Sequence, residues 1–271
     1  MTSKNKRVIL ITGASSGIGK ACYDYLLSKG HTVYGTSRQV SESDPKMLKM
    51  DVVEPSTINV AVQHIIDREG RLEVVINNAG ISVLGAAEET TAEDARRQLE
   101  TNFWGAVHVI NAALPCMRNQ KMGYIINMSS LAGLFALPFQ AFYAASKHAL
   151  EGYTESLRME VRPFGIHVSL IEPGDFKTEI TNHREYSGPA ALGMGDYNSR
   201  YKKVKSVVMQ GERKGADVTR IAKLAHRIIN QANPGLRYPI GKSMDLLAAK
   251  IKNIMPQPLF EWLIRDHYKI N

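Results

Sequence analysis

The sequence predicts an α/β fold, a doubly wound parallel sheet covered by helices on both faces, and three observations predict it. Short β-rich apolar runs alternate with stretches of helical periodicity from residue 8 to about 171, the pattern of successive βαβ units. The first apolar run ends in a glycine-rich turn that opens a helix. At 271 residues and 44% hydrophobic content the chain can bury the core such a sheet needs, as one large domain or two small ones.

Val8 to Thr12 (VILIT) reads as a strand that Gly13 ends. Lys20 to Ser28 has apolar residues at helical spacing, and Gly30 suits the position just past a helix C-terminus. His31 to Thr36 (HTVYGT) and Met47 to Met50 are the next strands, and Ser56 to Arg68 is a helix with Ile58, Val62, Ile65 and Ile66 on one face. Val74 to Asn77 (VVIN) is a strand broken by NNAG. A long helical stretch follows from Ala92 to about Met117, then the strand Tyr124 to Met128 (YIINM), a helix from Phe142 to Val161 and the strand Ile166 to Ile171 (IHVSLI). From about Thr181 to Lys214 periodicity is weak and Gly188, Pro189, Gly193 and Gly195 cluster. A structureless stretch of that length is expected to be a mobile insertion over the ligand edge, acting as a substrate lid. Met244 to Ile254 and Leu259 to Ile270 are amphipathic helices. Parallel sheets bind ligands at the carboxyl ends of their strands, and every motif below falls at or just after such an end.

The net charge of +8 is unevenly placed: residues 200 to 271 hold 15 Lys/Arg against 5 Asp/Glu, and the first 199 hold 19 against 21. No basic stripe interleaved with aromatics forms upstream, so nucleic acid is not an expected partner. The basic tail helices could attach to an anionic membrane surface. Such helices more often pack their apolar face on their own domain, and that is the favoured expectation. Cys22 and Cys116 fit no paired metal-ligand spacing, so free buried thiols in a reducing compartment, and no metal, are expected. The apolar run near the N-terminus is too short for a secretory signal. No stretch approaches the roughly 18 apolar residues of a membrane helix, and the chain reads as soluble and cytoplasmic.

ITGASSGIGKA, Ile11 to Ala21, could cradle a triphosphate or a dinucleotide. A triphosphate loop needs four residues between its glycines and a Ser or Thr after the lysine; here five residues separate Gly13 from Gly19, and Ala21 follows Lys20. What remains is Gly13, Gly17 and Gly19 between a strand and a helix, where backbone can approach a pyrophosphate and the helix N-terminus faces it. At the end of the second strand stand Thr36, Ser37 and Arg38, with no carboxylate to take the adenosine ribose hydroxyl. An arginine there accommodates a 2′-phosphate, so the expected cofactor is NADP(H) rather than NAD(H).

In YAASK, Tyr143 and Lys147 stand at i and i+4 on one helix face. Ser130, thirteen residues before Tyr143, closes a strand and reaches the same edge. Reduction of a carbonyl needs an acid that protonates the developing alkoxide, and a tyrosine with a pKa of about 10 is a poor one. A nearby lysine cation is expected to lower that pKa, while Ser130 holds the carbonyl oxygen.

Together these residues resemble the short-chain dehydrogenase/reductase family, in its single-domain branch. TGASSGIG (Thr12 to Gly19), NNAG (Asn77 to Gly80), Asn102 in TNFWG, Ser130 in MSSLAG, YAASK and Pro173-Gly174 followed by Thr178 are similar to its motifs, in family order. The resemblance implies a Rossmann-type sheet in one domain over residues 1–271, with the lid at about 181–214 and a basic helical C-terminal extension at about 216–271. It implies reversible hydride transfer between a nicotinamide and a carbonyl or secondary alcohol, with Asn102, Ser130, Tyr143 and Lys147 as catalytic residues. Tyr143 would be the general acid/base, Lys147 would also bind the nicotinamide ribose, and Asn102 would hold a proton-relay water. The cofactor would lie against Gly13, Ser15, Ser16, Gly17, Ile18 and Gly19, then Ser37 and Arg38, and then Asp51 and Val52 at the adenine. Asn78, Ala79 and Gly80 would border the adenosine, and Pro173, Gly174, Phe176 and Thr178 the nicotinamide. Asp51 has a second reading as a loop cap. The resemblance also implies a homodimer or homotetramer through the helices 92–117 and 142–161. Val83, Leu84, Leu131, Phe135, Leu137, Phe139 and Phe142, with Tyr186, Met194 and Tyr197 from the lid, point to a lipophilic substrate, as in the hydroxysteroid and retinol dehydrogenase branch. The alternative is a nucleotide-sensing protein of the same fold without turnover.

Overall fold

A strand buried on both sides must be apolar at every position, and Val8–Ile11 is buried throughout. The computed structural model describes residues 6–40, 44–177, 184–252 and 254–271. In chain order its elements are β1 (Val8–Ile11), α1 (Gly17–Ser28), β2 (Thr32–Ser37), β3 (Met47–Lys49), α2 (Pro55–Glu69), β4 (Val74–Asn77), β5 (Val83–Leu84), α3 (Ala92–Leu99), α4 (Gly105–Gln120), β6 (Gly123–Met128), α5 (Ala141–Val161), β7 (Ile166–Pro173), β8 (Glu185–Tyr186), α6 (Asn198–Arg213), α7 (Thr219–Ile229), β9 (Arg237–Ile240), α8 (Ser243–Ile251) and α9 (Gln257–His267). Seven strands form one sheet in the order β3-β2-β1-β4-β6-β7-β9, every pair parallel, and β5 pairs with β8 separately.

Alternation along each strand divides the core. Val8 and Leu10 face Ile58 and Ile65 of α2, Val109 and Ile110 of α4 and Leu157 of α5. Ile9 and Ile11 face Leu26 of α1 with Ile221 and Ile228 of α7. A slip of one residue would exchange the two sets, so both helical layers hold the register. The chain runs outward from β1 through β2 to β3, then crosses back to β4 and continues the other way. Connections leaving β1 and β4 therefore diverge and open a crevice at their carboxyl ends.

Three expectations change. The helical stretch 92–117 is broken: α3 and α4 are joined by a π-helical turn, Glu100–Trp104. The segment 181–214 is largely built structure in its described part, residues 184–214. It contains β8 and the sixteen-residue α6, whose buried Tyr201, Val204 and Val208 form a stripe too narrow to stand out among Lys202, Lys203 and Lys205. It is also tied to α3 and to the loop that precedes it, by Arg97 Nη1 of α3 to Glu185 Oε1 at 2.7 Å and by Tyr197 Oη to Glu88 Oε2 at 2.7 Å. Finally, residues 216–271 are not all extension, because α7 completes one core face and β9 is the seventh strand. Only α8 and α9 lie beyond the sheet in sequence.

Candidate active site

The turn after β1 demands glycine. Gly13 and Gly17 have φ of +64° and +54°, a region that favours glycine. A Cβ at Gly19 would lie 2.1 Å from the Gly13 carbonyl oxygen. The turn is clamped from the end of β4: Asn78 Nδ2 donates to the carbonyls of Thr12 and Gly13, both at 3.0 Å. The Thr12 hydroxyl in turn accepts from the backbone N–H groups of Asn78 at 3.0 Å and Ala79 at 2.9 Å. At Gly80 a Cβ would press on Asn102 Oδ1 at 3.1 Å. Ser16 caps α1 without a side-chain hydrogen bond, and the first N–H groups of a helix have no partner within it. A glycine-shaped cradle at a helix N-terminus fits the pyrophosphate of a dinucleotide. Ile18 is half-buried against the core beneath, and Lys20 pairs with Asp24 on the surface at 2.8 Å.

Ser37 Oγ lies 3.3 Å from Ser15 Oγ, and Arg38 is exposed at the end of β2. Asp51 takes the loop-capping role: its Oδ1 accepts from the Val53 N–H at 3.1 Å, and its backbone N–H and carbonyl bond the Thr57 hydroxyl. Val52 is buried in the core. At the end of β7 the Gly174 N–H donates to the Ile240 carbonyl at 2.8 Å, and Ser130 Oγ lies 3.5 Å from the Pro173 carbonyl. The Phe176 side chain is buried in the core beside α7. Thr178 lies outside the described residues.

Three elements converge on the predicted catalytic set. Tyr143 and Lys147 come from α5, Ser130 from the end of β6, and Asn102 from the π turn. Lys147 is 5% exposed, donates to the Met128 carbonyl at 2.8 Å, and holds Nζ 5.8 Å from the Tyr143 ring centre. Burial lowers its pKa to about 8, opposed by the negative charge of Glu151. Tyr143 is half-buried by exposed area. Its pKa is raised rather than lowered: desolvation is the largest influence, and the hydrogen bond from Ser130 and the charge of Arg184 only offset it. The depression expected from Lys147 is thereby corrected: the cation that acts on the phenol is Arg184, and its pull does not outweigh loss of water. Asn102 Oδ1 accepts from the Ile81 N–H at 2.8 Å, and its Nδ2 donates to the Ile81 carbonyl at 2.9 Å and Ser146 Oγ at 3.1 Å. It braces α5 against the loop after β4.

Of the apolar residues read as pocket, Leu131 and Phe135 pack under Phe260 of α9, and Phe139 packs edge-on to Tyr197 and Tyr201. Several charged residues near the site were missed. Arg184 and Glu212 form a buried ion pair whose charges act on Tyr143; Arg184 sits in an aperiodic segment that carries no signal. Glu151 and Glu172 flank Arg237, whose Nε is 2.9 Å from one and 3.5 Å from the other. Glu151 was legible, four residues beyond Lys147 on the same helix face.

Known proteins match this arrangement. The model of the short chain dehydrogenases matches residues 7–187. The chain is 41% identical over 266 residues to a 3-ketodihydrosphingosine reductase of Bacteroides thetaiotaomicron, covering 97% of this chain and 98% of that protein. A short-chain dehydrogenase from Streptomyces avermitilis is alike in structure with a TM-score of 0.81 at 31% identity, over 96% of this chain and 97% of that one. ElxO with NADP bound gives 0.72 at 28% identity, over 87% and 97%. A family match across more than half of the sequence, with a relative 41% identical over nearly the whole of both chains, leaves one assignment: this chain belongs to the short-chain dehydrogenase family.

Proposed function

We propose that the chain reduces a lipophilic ketone with NADPH, the ketone resembling 3-ketodihydrosphingosine in having a long alkyl chain beside a carbonyl near a polar end. The observation that carries this reading is the Tyr143 phenol, hydrogen-bonded to Ser130 and followed one helical turn later by the buried Lys147. Likeness to the Bacteroides reductase over nearly the full length of both chains supports the substrate class.

The bound nicotinamide supplies the hydride. The chain's own residues do the rest: Ser130 holds the carbonyl oxygen, and Tyr143 gives its phenolic proton to that oxygen as the C–H bond forms. Lys147 stabilises the phenolate left behind and holds the nicotinamide ribose hydroxyls. Gly13 to Gly19 would seat the pyrophosphate, and Arg38 would take the adenosine 2′-phosphate. The segment 184–214 closes over the substrate. A protein that only sensed nucleotide would have no use for a phenol, hydroxyl and ammonium brought together.

Following NADPH absorbance with 3-ketodihydrosphingosine, beside a panel of short ketones, tests the reading. Oxidation should require Tyr143 and favour the long-chain ketone; equal rates for wild type and Tyr143→Phe would remove the assignment. Arg38→Asp should shift preference from NADPH toward NADH, and an unchanged preference would count against the 2′-phosphate contact.

A further inference from the structure

Buried polar side chains ordinarily find partners, and Arg184 is only partly satisfied. It precedes β8, its side chain is 5% exposed, and its Nη2 donates to Glu212 Oε1 near the end of α6. Its Nε and Nη1 are buried with no hydrogen-bond partner. A guanidinium presents its N–H groups as a rigid planar fork, so two nitrogens of that fork are sealed from water with nothing to bond.

The backbone places this fork beside the catalytic set. The Glu185 N–H donates to the Ser82 carbonyl at 3.2 Å as β8 pairs with β5, and Ser82 follows Ile81, the residue that Asn102 brackets. On the other side α6 abuts the end of β7: a Cβ at Gly211, next to Glu212, would lie 2.1 Å from Asp175 Oδ2. Asp175 follows Gly174, where a Cβ would lie 2.8 Å from Asp245 Oδ2. The Arg184 charge is felt at Tyr143, Asp175 and Tyr201. Tyr201 Oη and Ser82 Oγ are two more buried polar atoms without partners. Orphaned polar groups on the segment 184–214 and on the loop it pairs with, beside the phenol, mark a site whose hydrogen-bond partner arrives with the substrate.

Charge selects what that substrate carries. The charges acting on Asp175 are those of Asp245 and Glu212, against Lys242 and Arg184. Counting Asp175 itself, three carboxylates stand against two cations. Burial first, then the charges of Asp245 and Glu212, raise the Asp175 pKa from 3.8 to about 6. A carboxylate or phosphate brought here would add to an uncompensated negative field, whereas an ammonium would balance it. A neutral oxygen suits the Arg184 fork, whose own charge Glu212 already answers.

We propose that Arg184 and Asp175 read the polar end of the substrate as an amino alcohol, Arg184 Nε and Nη1 donating to a hydroxyl oxygen near the reacting carbonyl and the carboxylates of Asp175 and Asp245 holding the ammonium. This rests on the reading of the chain as a reductase of long-chain ketones, and it names what such a ketone must carry. 3-Ketodihydrosphingosine has both groups, an amine and a hydroxyl on the two carbons beside its carbonyl.

The test follows NADPH absorbance with the full-length protein and compares that ketone with three analogues: one without the hydroxyl, one with the amine acetylated, and one with the hydroxyl phosphorylated. Loss of the hydroxyl should lower kcat/KM about 100-fold, mainly through KM. Acetylation should lower it about tenfold, and the phosphorylated compound should be the poorest of the set. In Arg184→Gln with Glu212→Gln, which leaves a neutral pair, the preference for the hydroxyl should disappear whatever the absolute rate. Asp175→Asn should instead weaken the preference for the free amine and keep that for the hydroxyl. A merely structural role for Arg184 would slow both compounds alike and leave their ratio in place. Equal kcat/KM with and without the hydroxyl in wild type overturns the proposal and leaves the reductase reading standing, and so does a preference for the phosphorylated compound. If wild type oxidises NADPH with none of the four, the reading and the proposal fall together.

Discussion

Tyr143 cannot act on its intrinsic acidity, because burial raises its pKa and only Ser130 and Arg184 pull it back. Its acid function depends on a proton donated into a pocket where an anion is stabilised by fixed neighbours. Tyr143→Phe should lower kcat/KM by about 10²- to 10⁴-fold while NADPH binding, followed by its fluorescence, stays nearly unchanged. Lys147 sets the alkaline side. With its pKa lowered to about 8, it is charged below that pH and loses charge as pH rises through it, so reduction should decline above about pH 8. Glu151 opposes that lowering, so Glu151→Gln should move the decline to lower pH; a decline that stays in place would show that Lys147 does not govern it. The spacing of Tyr143 and Lys147 was legible because a helix converts i and i+4 into neighbours. Arg184 and Glu212 were not, because their approach to Tyr143 depends on how a distant segment folds back.

At the scale of elements, the glycine turn and NNAG were both readable, but the hydrogen bonds that join them were not. Thr12 is buried, and its single hydroxyl serves two backbone N–H groups. Thr12→Val keeps the shape and orphans both, at about 1–3 kcal/mol for each buried unsatisfied group. A lower urea midpoint together with weakened NADPH binding is the expected result; loss of stability alone would separate the clamp from the cofactor site. The π turn between α3 and α4 was invisible to periodicity, since one helical pattern continues across it, yet it is the element that places Asn102 against Ile81 and Ser146. β9 was missed for another reason. Its sequence, RYPI, is half polar and contains a proline, which an edge strand tolerates and a central strand does not.

For the whole molecule, two buried groups tie stability to pH in opposite senses. Glu172 is fully buried, and desolvation with the nearby charge of Glu151 raises its pKa from 4.5 to about 8 against the pull of Arg237. Between those values the folded chain keeps a proton that the unfolded chain releases, so stability falls as pH rises from 4.5 to about 8. Glu172→Gln should flatten that decline in thermal melts taken across the range. His31 acts the other way: burial, then the charges of His226 and Arg7, lower its pKa from 6.5 to about 4. The unfolded chain therefore binds the extra proton, and stability should fall as pH drops from 6.5 to about 4. A His31→Gln variant that still loses stability over that window would assign the effect elsewhere.

The sequence by itself determined the alternation of strands and helices, the glycine turn and the Tyr143-Lys147 pair. Each of these is written in spacings of a few residues, where backbone geometry leaves little choice. Tertiary structure alone decided that residues 219–240 complete the sheet, that Arg184 and Glu212 bear on the phenol, that Glu172 is sealed beside Glu151, and which face of α8 and α9 is left open. Those outcomes depend on what packs against each surface. Two amphipathic helices read alike whether their apolar sides meet their own domain, a partner or a membrane; only the positions of Leu131 and Phe135 settle which part is already taken.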